Sequence, residues 1–410
     1  MELLVISNGH GEDAIAIRII QALQKISPDA RVWGLAMVGE GFAYGQAHIP
    51  LIARVKSMPS GGFIYMDKKH LWQDIRQGLL ALIISQYRAT RKWVQKHPGG
   101  IILAVGDILP LLFAWLSGAK YYFVGTAKSE YYLKDEEGWL EETPCWERWF
   151  DSVYYPWERC LLKHPRCMGA FPRDSFTASS LRRYGIRVYD CGNPMMDGLD
   201  TTIPHYDDNL LKILLLPGSR FPESLHNWRL ILLAIDSLLP DFPVDLLFVA
   251  AIAPYLPLKD FTDILKGFQW SEDEKTVNVP LNPDDKIVFT KRGRQLVVSQ
   301  NSYTQCLQYC DMAIAMAGTA TEQFVGLGKP VIAFPGRGPQ YNLQFARNQR
   351  RLLGISLQLV DNPQQVREKI LQLLSAPDLW EMIAANGKKR LGQGGASQKI
   401  ATILCQHSDS

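Results

Sequence analysis

Residues 316–336 read MAGTATEQFVGLGKPVIAFPG. An apolar strand, Met312 to Met316, runs into the turn Ala317-Gly318-Thr319. A short helix follows, Gly328-Lys329-Pro330 stops it, and the strand PVIAF comes next. A strand that delivers a glycine to the start of a helix presents backbone amides to an anion. Gly318 has no side chain to obstruct a ligand. The amides of Thr319 and Ala320 suit a diphosphate. Glu322, about one turn further, suits two hydroxyl hydrogens of a ribose.

Working outward, strands and helices alternate on both sides of this stretch. The first half gives ELLVIS, RVWGLAMV, GIILAV, KYYFVG, CMGAF and RVYDCG as strands, with helices between them. One of these helices is expected from about Leu71 to Lys96. After a polar link, DTTIPHYDDN at 200–209, the rhythm restarts with KILLLPGSR, DLLFVAAI, DKIVFT, QLVVS and DMAIAM. The pattern predicts an α/β protein of two Rossmann-like, doubly wound domains with parallel sheets and a cleft between them. The segment 126–164 breaks the rhythm and reads as an insertion or lid. Ligands in such sheets bind at the carboxyl ends of the strands.

Composition narrows the function. The 410 residues are 47% hydrophobic and 21% charged, enough for two full cores. A net charge of +3 gives no footprint for nucleic acid. The seven cysteines form no CxxC pair and no metal pattern, as reduced thiols of a cytoplasmic protein would not. No basic leader precedes the first strand, and the longest apolar runs are too short to span a bilayer. No metal and no cofactor beyond a donor substrate is expected.

Four further strand ends carry chemistry. The first strand ends in SNGHGED, where Gly9 and Gly11 flank His10 ahead of a helix and Asp13 closes the motif. His10 is either a general base facing the cleft or an incidental solvated residue between two turn glycines. GIILAV ends in Gly106-Asp107, where the carboxylate is either a helix cap or a functional acid. KILLLPGSR supplies Gly218, Ser219 and Arg220, whose guanidinium can grip phosphate oxygens; no Walker loop is present. PVIAF exits into PGRGPQYNLQFA, where Gln340 and Asn342 either contact a sugar or belong to an ordinary surface loop.

LLPGSR followed by Glu223, GTATEQ, and GNPMMDGL at 192–199 together resemble lipid-A-disaccharide synthase, and more closely its cyanobacterial related proteins. The resemblance covers the whole chain. It implies a GT-B glycosyltransferase with an acceptor domain (1–199), a nucleotide-sugar domain (210–376) and closing helices (377–410) that cross back to the first domain. It implies a UDP-sugar donor such as UDP-GlcNAc and a lipid or glycolipid acceptor. Three departures lie on the acceptor side: NGHGED in the first loop, GDILPL around Asp107, and Gly192-Asn193-Pro194 where the synthase has Gly-His-Pro. A UDP-sugar 2-epimerase of the same fold and a non-catalytic nucleotide-sugar-binding protein remain alternatives. The segment 61–97 is basic, with Leu71, Trp72, Ile75, Leu79, Leu82 and Ile83 at helical spacing. It reads either as a helix lying on an anionic membrane or as a crossover helix packed on the sheet.

Overall fold

The computed structural model describes residues 1–38, 41–53, 55, 79–199, 209–239, 241–273 and 277–406, with the backbone alone for His10, Leu79 and Leu80. It divides into two compact units. One is Met1–Asp197 with Gly392–Ser410, and the other is Gly198–Leu391.

The first unit is a five-stranded, fully parallel sheet in the order β2-β1-β3-β4-β5. Its strands are β1 (Glu2–Ser7), β2 (Arg31–Ala36), β3 (Ile101–Gly106), β4 (Lys120–Gly125) and β5 (Cys167–Pro172). Leu3–Ile6 and Ile102–Val105 are wholly buried, which explains their unbroken apolar runs: each strand is covered on both faces. Helix α1 (His10–Ile26) links β1 to β2, and α2 (Leu79–Lys96) leads into β3. Trp93 of α2 is buried, and Leu82, Ile83, Tyr87 and Val94 pack on the same core. The described part of this helix therefore turns its apolar face to the sheet. Residues 56–78, which include the first half of the candidate membrane segment, lie outside the described residues, as does the link at 200–208.

Within 126–164, helix α3 (Pro156–Lys163) is the crossover that parallel β4 and β5 require. The expected strand Arg187–Gly192 reduces to one bridge, Val188 to Ala170.

The second unit carries eight strands in the order β13-β12-β11-β6-β7-β10-β9-β8. They are β6 (Leu210–Leu216), β7 (Asp245–Ala251), β8 (Ser271–Glu272), β9 (Lys286–Lys291), β10 (Arg294–Ser299), β11 (Met312–Ala315), β12 (Val331–Ala333) and β13 (Leu357–Leu359). The all-parallel expectation is corrected at one edge, where β9 and β10 form an antiparallel hairpin. Its two-residue turn places Arg292 and Gly293 at φ 50° and 76°. Two successive left-handed residues match the twist of a hairpin, so DKIVFT and QLVVS pair directly with no crossover.

The return to the first unit also comes later than position 377. Helix α4 (Pro377–Leu391) stays with the second unit, and α5 (Ala396–Gln406) belongs to the first. At the crossing Asp197 accepts hydrogen bonds from the amides of Gly395, Ala396 and Ser397 at 2.6, 3.0 and 2.8 Å. One carboxylate thereby caps α5 across the two passages of the chain.

Candidate functional site

In the second unit the strand order reverses between β6 and β11, which pair in parallel from Met312–Ile213 to Ala315–Leu216. A ligand crevice belongs at such a switch point. The β6 exit supplies Pro217-Gly218-Ser219-Arg220. The β11 exit supplies Met316-Ala317-Gly318 and then helix α6 (Thr319–Gly326).

Buried groups behind these turns fix them. Asn227, on helix α7 (Glu223–Asp236), donates to the carbonyls of Pro217 and Met316 at 3.1 and 3.5 Å and ties the two exits together. Gly218 has φ +88°, and a Cβ there would lie 3.0 Å from the Met316 carbonyl, so the turn demands glycine twice over. The carbonyl of Ala317 accepts from Thr321 Oγ1 at 2.7 Å and from Gln349 Nε2 at 3.0 Å, and that of Gly318 from Gln349 at 3.2 Å. Tyr341 in turn donates to Gln349 Oε1 at 2.9 Å. With its carbonyls engaged from within, the turn sends its amides toward the start of α6. No side chain caps that helix at Gly318. Its positive end is therefore available to an anion.

The other donor-side candidates divide. Ser219, Arg220 and Thr319 are exposed, and Ala320 and Glu322 are half-buried. Arg220 loses proton affinity through desolvation, while the nearby charge of Glu223 acts to restore it. Asn342 accepts from the Phe345 amide at 2.9 Å as the N-cap of helix Leu343–Leu353, and donates to Pro339 at 3.3 Å. Its side chain thus serves the loop. Gln340 has its backbone amide on Glu223 at 3.2 Å. Glu223, unassigned by the sequence, organises this loop: the Tyr341 amide also donates to it at 2.7 Å. Gly338 lies so close that a Cβ would come within 2.3 Å of the Glu223 carboxyl carbon.

The first unit repeats the arrangement, with its switch point between β1 and β3. Gly9 precedes α1, and His10 and Gly11 begin it; the side chain of His10 lies outside the described residues. Asp107 caps the helix that starts at Ile108, accepting from the Leu109 amide at 3.0 Å. Burial holds its carboxyl above the usual range, against the Leu109 amide, the Asn8 side chain and the charge of Lys128. Lys128 donates to Glu158 and to the Val153 carbonyl at 2.5 and 3.1 Å. Glu12, which sequence reasoning passed over, is half-buried. It accepts from Thr126 Oγ1 at 3.4 Å. Its pKa is raised by burial and by the charge of Asp107.

Two acceptor-side candidates need correction. Asp13 is only 1% exposed and turns into the core, where Ser7 donates to it at 2.5 Å and Tyr44 lies 2.6 Å from Ser7. The buried stripe Ala16, Ile20 and Leu23 of α1 runs back through Asp13, so helical periodicity could have shown this. Asn193 is 3% exposed and caps the turn Pro194–Met196, with Gly392 packed on its backbone. It shapes the chain crossing and presents nothing outward.

Burial raises the Asp13 pKa to about 7. The folded state then holds a proton that the unfolded chain releases near 3.8. Stability from this group is complete below that lower value and is lost as pH rises to about 7. At 1.36 kcal/mol per unit the loss is up to about 4 kcal/mol. Urea unfolding of wild type and Asp13→Asn between pH 4 and 7.5 should show a steeper decline in wild type, because Glu12 and Asp107, whose pKa values burial also raises, still titrate in the variant. Parallel curves would exclude the assignment.

No protein-family model and no curated protein sequence matches the chain. Solved structures do, over nearly the whole length. The calicheamicin glycosyltransferase CalG4 superposes with a TM-score of 0.59 at 12% identity, covering 98% of this chain and 97% of that one. MurG of Acinetobacter baumannii gives 0.57 at 11%, covering 99% of each. UDP-GlcNAc 2-epimerase of Neisseria meningitidis, bound to UDP-GlcNAc, gives 0.56 at 16%, covering 99% and 100%. The fold is GT-B.

Proposed function

We propose that the protein is a glycosyltransferase that moves a sugar from a nucleoside diphosphate, a UDP-sugar such as UDP-GlcNAc, to a hydroxyl of a lipid or glycolipid. Its reaction would resemble that of lipid-A-disaccharide synthase. The observation that carries this is the β6/β11 crevice, where the uncapped start of α6 and Arg220 flank one turn.

In this reading the second unit binds the donor. The amides of Thr319 and Ala320 and the Arg220 guanidinium take the charge of the departing diphosphate. Glu322 reads the ribose. The first unit presents the acceptor, and Asp107 or His10 takes the proton of the attacking hydroxyl. That oxygen bonds to the anomeric carbon, and the carbon–diphosphate bond breaks with its electron pair leaving on the nucleotide. In this reading no metal takes part. A lipid-borne acceptor and peripheral membrane contact are supported by exposed Trp146, Trp149 and Trp157, because tryptophan favours the membrane–water interface. Among the described residues no helix is long and apolar enough to cross a membrane.

The epimerase neighbours favour a second reading, interconversion of a free UDP-sugar. A thermal-shift screen of UDP-, GDP- and ADP-sugars tests what both share: a ligand at about 100 times its Kd stabilises the fold by about 2.7 kcal/mol. UDP-GlcNAc incubated alone then reports the 2-epimer by NMR. Addition of lipid extract reports transfer. If no nucleotide sugar raises Tm, both readings fail.

A further inference from the structure

We propose that Trp146, Trp149 and Trp157 form one docking surface for a bilayer whose head groups carry no net charge, and that the protein meets this bilayer by burying aromatic rings and not through its basic helix α2. The proposal rests on the lipid-acceptor reading above and names the surface and the lipid class that it left open.

The three indoles belong to one ring cluster. They are 55, 81 and 52% exposed. The Phe150 ring lies 6.4, 5.2 and 6.1 Å from them, and Tyr155 stacks on Trp157 at 4.8 Å. The short helix Cys145–Phe150, which carries two of the tryptophans, buries none of its residues. Its one cation is turned back on its own loop: Arg148 donates to the carbonyls of Thr143 and Leu140 at 3.1 and 3.0 Å. A helix that satisfies its arginine internally and holds its tryptophans outward reverses the pattern of a water-facing helix.

Area and position identify the occupant. With about 200–250 Å² per indole, the exposed tryptophan surface is about 400 Å². A stable protein partner needs about 800 Å² per side. A bilayer needs no matched partner surface, and an apolar ring with an N–H at one edge suits the membrane–water boundary. Lys128, three residues beyond β4, pairs with Glu158 in the first turn of α3 at 2.5 Å. That pair holds the start of α3, and Trp157 with it, at the carboxyl end of the sheet, where ligands bind.

Charge selects the lipid. Residues 126–164 carry nine Asp and Glu against five Lys and Arg. Four of the five cations are engaged within the segment or its own unit. Lys128 is held by Glu158, and Lys134 by Glu130 and Asp151 at 3.4 and 3.6 Å. Arg148 bonds its own loop, and Arg159 lies 4.0 Å from the Tyr184 ring centroid. Glu137, Glu141 and Glu142 are exposed in the same segment as the tryptophans. Anionic head groups would meet like charge there, and uncharged ones would not. Helix α2 makes the opposite demand. It carries Arg88, Arg91, Lys92 and Lys96 with no acid, and as the docking element it would require anionic lipid.

The test floats the full chain with vesicles of phosphatidylcholine, or of equimolar phosphatidylcholine and phosphatidylglycerol, at low and high salt. We expect flotation with phosphatidylcholine that salt leaves unchanged, and weaker flotation with the anionic mixture at low salt. Trp149→Ala should weaken binding to phosphatidylcholine at least about tenfold, since even a quarter of an indole's surface kept from water is worth about that factor. Its side chain is 81% exposed, so the variant should fold, which an unchanged Tm checks. Arg88→Glu should float as wild type does. The proposal is overturned by failure to float with phosphatidylcholine, or by wild-type flotation of both Trp149→Ala and Trp157→Ala. It is equally overturned by tighter binding to the anionic mixture that Arg88→Glu abolishes. A dimer in sedimentation that Trp149→Ala dissolves would assign the patch to a second copy instead. The rise in Tm with UDP-GlcNAc is read on the same samples. That rise without flotation counts against the surface alone, and flotation without that rise counts against the donor reading and leaves the surface standing.

Discussion

Asp107→Asn is expected to lower turnover by about 10²–10⁴-fold while leaving UDP-sugar affinity unchanged. The substitution separates the two roles of this side chain. Asparagine caps helices as well as aspartate, so the bond from the Leu109 amide survives and stability should move by less than about 1 kcal/mol. What disappears is the charge that can accept a proton. Because burial holds the Asp107 carboxyl above its ordinary range, its basic form is populated only above that raised value. Wild-type turnover should therefore rise with pH past the usual carboxylate range. His10→Ala tests the competing base and should cost a similar factor if the imidazole takes the proton. Should Asp107→Asn keep full activity while His10→Ala abolishes it, the base is the histidine. If both variants turn over like wild type, the transferase reading of the first unit fails.

Gly318→Ala is expected to weaken UDP-sugar binding by roughly 10²-fold, in a protein that still folds. Gly318 has φ −82° and ψ −94°; its φ suits any residue, but its ψ lies beyond the ordinary helical range, where glycine is most readily tolerated. A Cβ would find only the Phe345 ring at 3.6 Å, an ordinary contact. The surrounding space gives no reason for glycine, so the cost to stability should be about 1 kcal/mol for the N-cap and roughly another 1 kcal/mol for the unusual ψ. A diphosphate seated on the amides of Thr319 and Ala320 does give a reason, because the methyl group would stand where its oxygens approach. Each displaced charged hydrogen bond is worth about 1.5–3 kcal/mol. Calorimetry with UDP, alongside urea unfolding, measures both quantities. Unchanged affinity at unchanged stability would show that no anion sits at this turn. Gly218→Ala cannot make the same distinction, since its positive φ and the nearby Met316 carbonyl strain the fold directly.

The residues that made the second crevice legible lie in short, contiguous motifs. Met316 to Glu322 reads as strand end, turn and helix start, and Leu216 to Arg220 as strand end and turn, and each is built that way. Local patterning was enough because a buried parallel strand and the helix after it impose their periods on neighbouring positions. The same reasoning failed wherever the partner lies far along the chain. Nothing near Gly338 in sequence reveals that Glu223 fills the space beside it, and nothing near Ala317 reveals Gln349. The hairpin at Arg292-Gly293 escaped because two apolar runs look alike whether their pairing is parallel or antiparallel; only the turn conformation distinguishes them.

The first unit shows the division most clearly. The sequence by itself determined two wound α/β units and the strand ends at which polar residues gather, since burial on both faces forces unbroken apolar runs and places chemistry after them. It could not determine which member of Gly11-Glu12-Asp13 looks outward. One residue turns a helix by about 100°, so adjacent carboxylates face opposite surroundings. The tertiary structure sent Asp13 inward to Ser7 and Tyr44 and left Glu12 beside Asp107 and Thr126. Which acid can meet a substrate was decided by the packing of α1 against its sheet, and not by the order of residues in the motif.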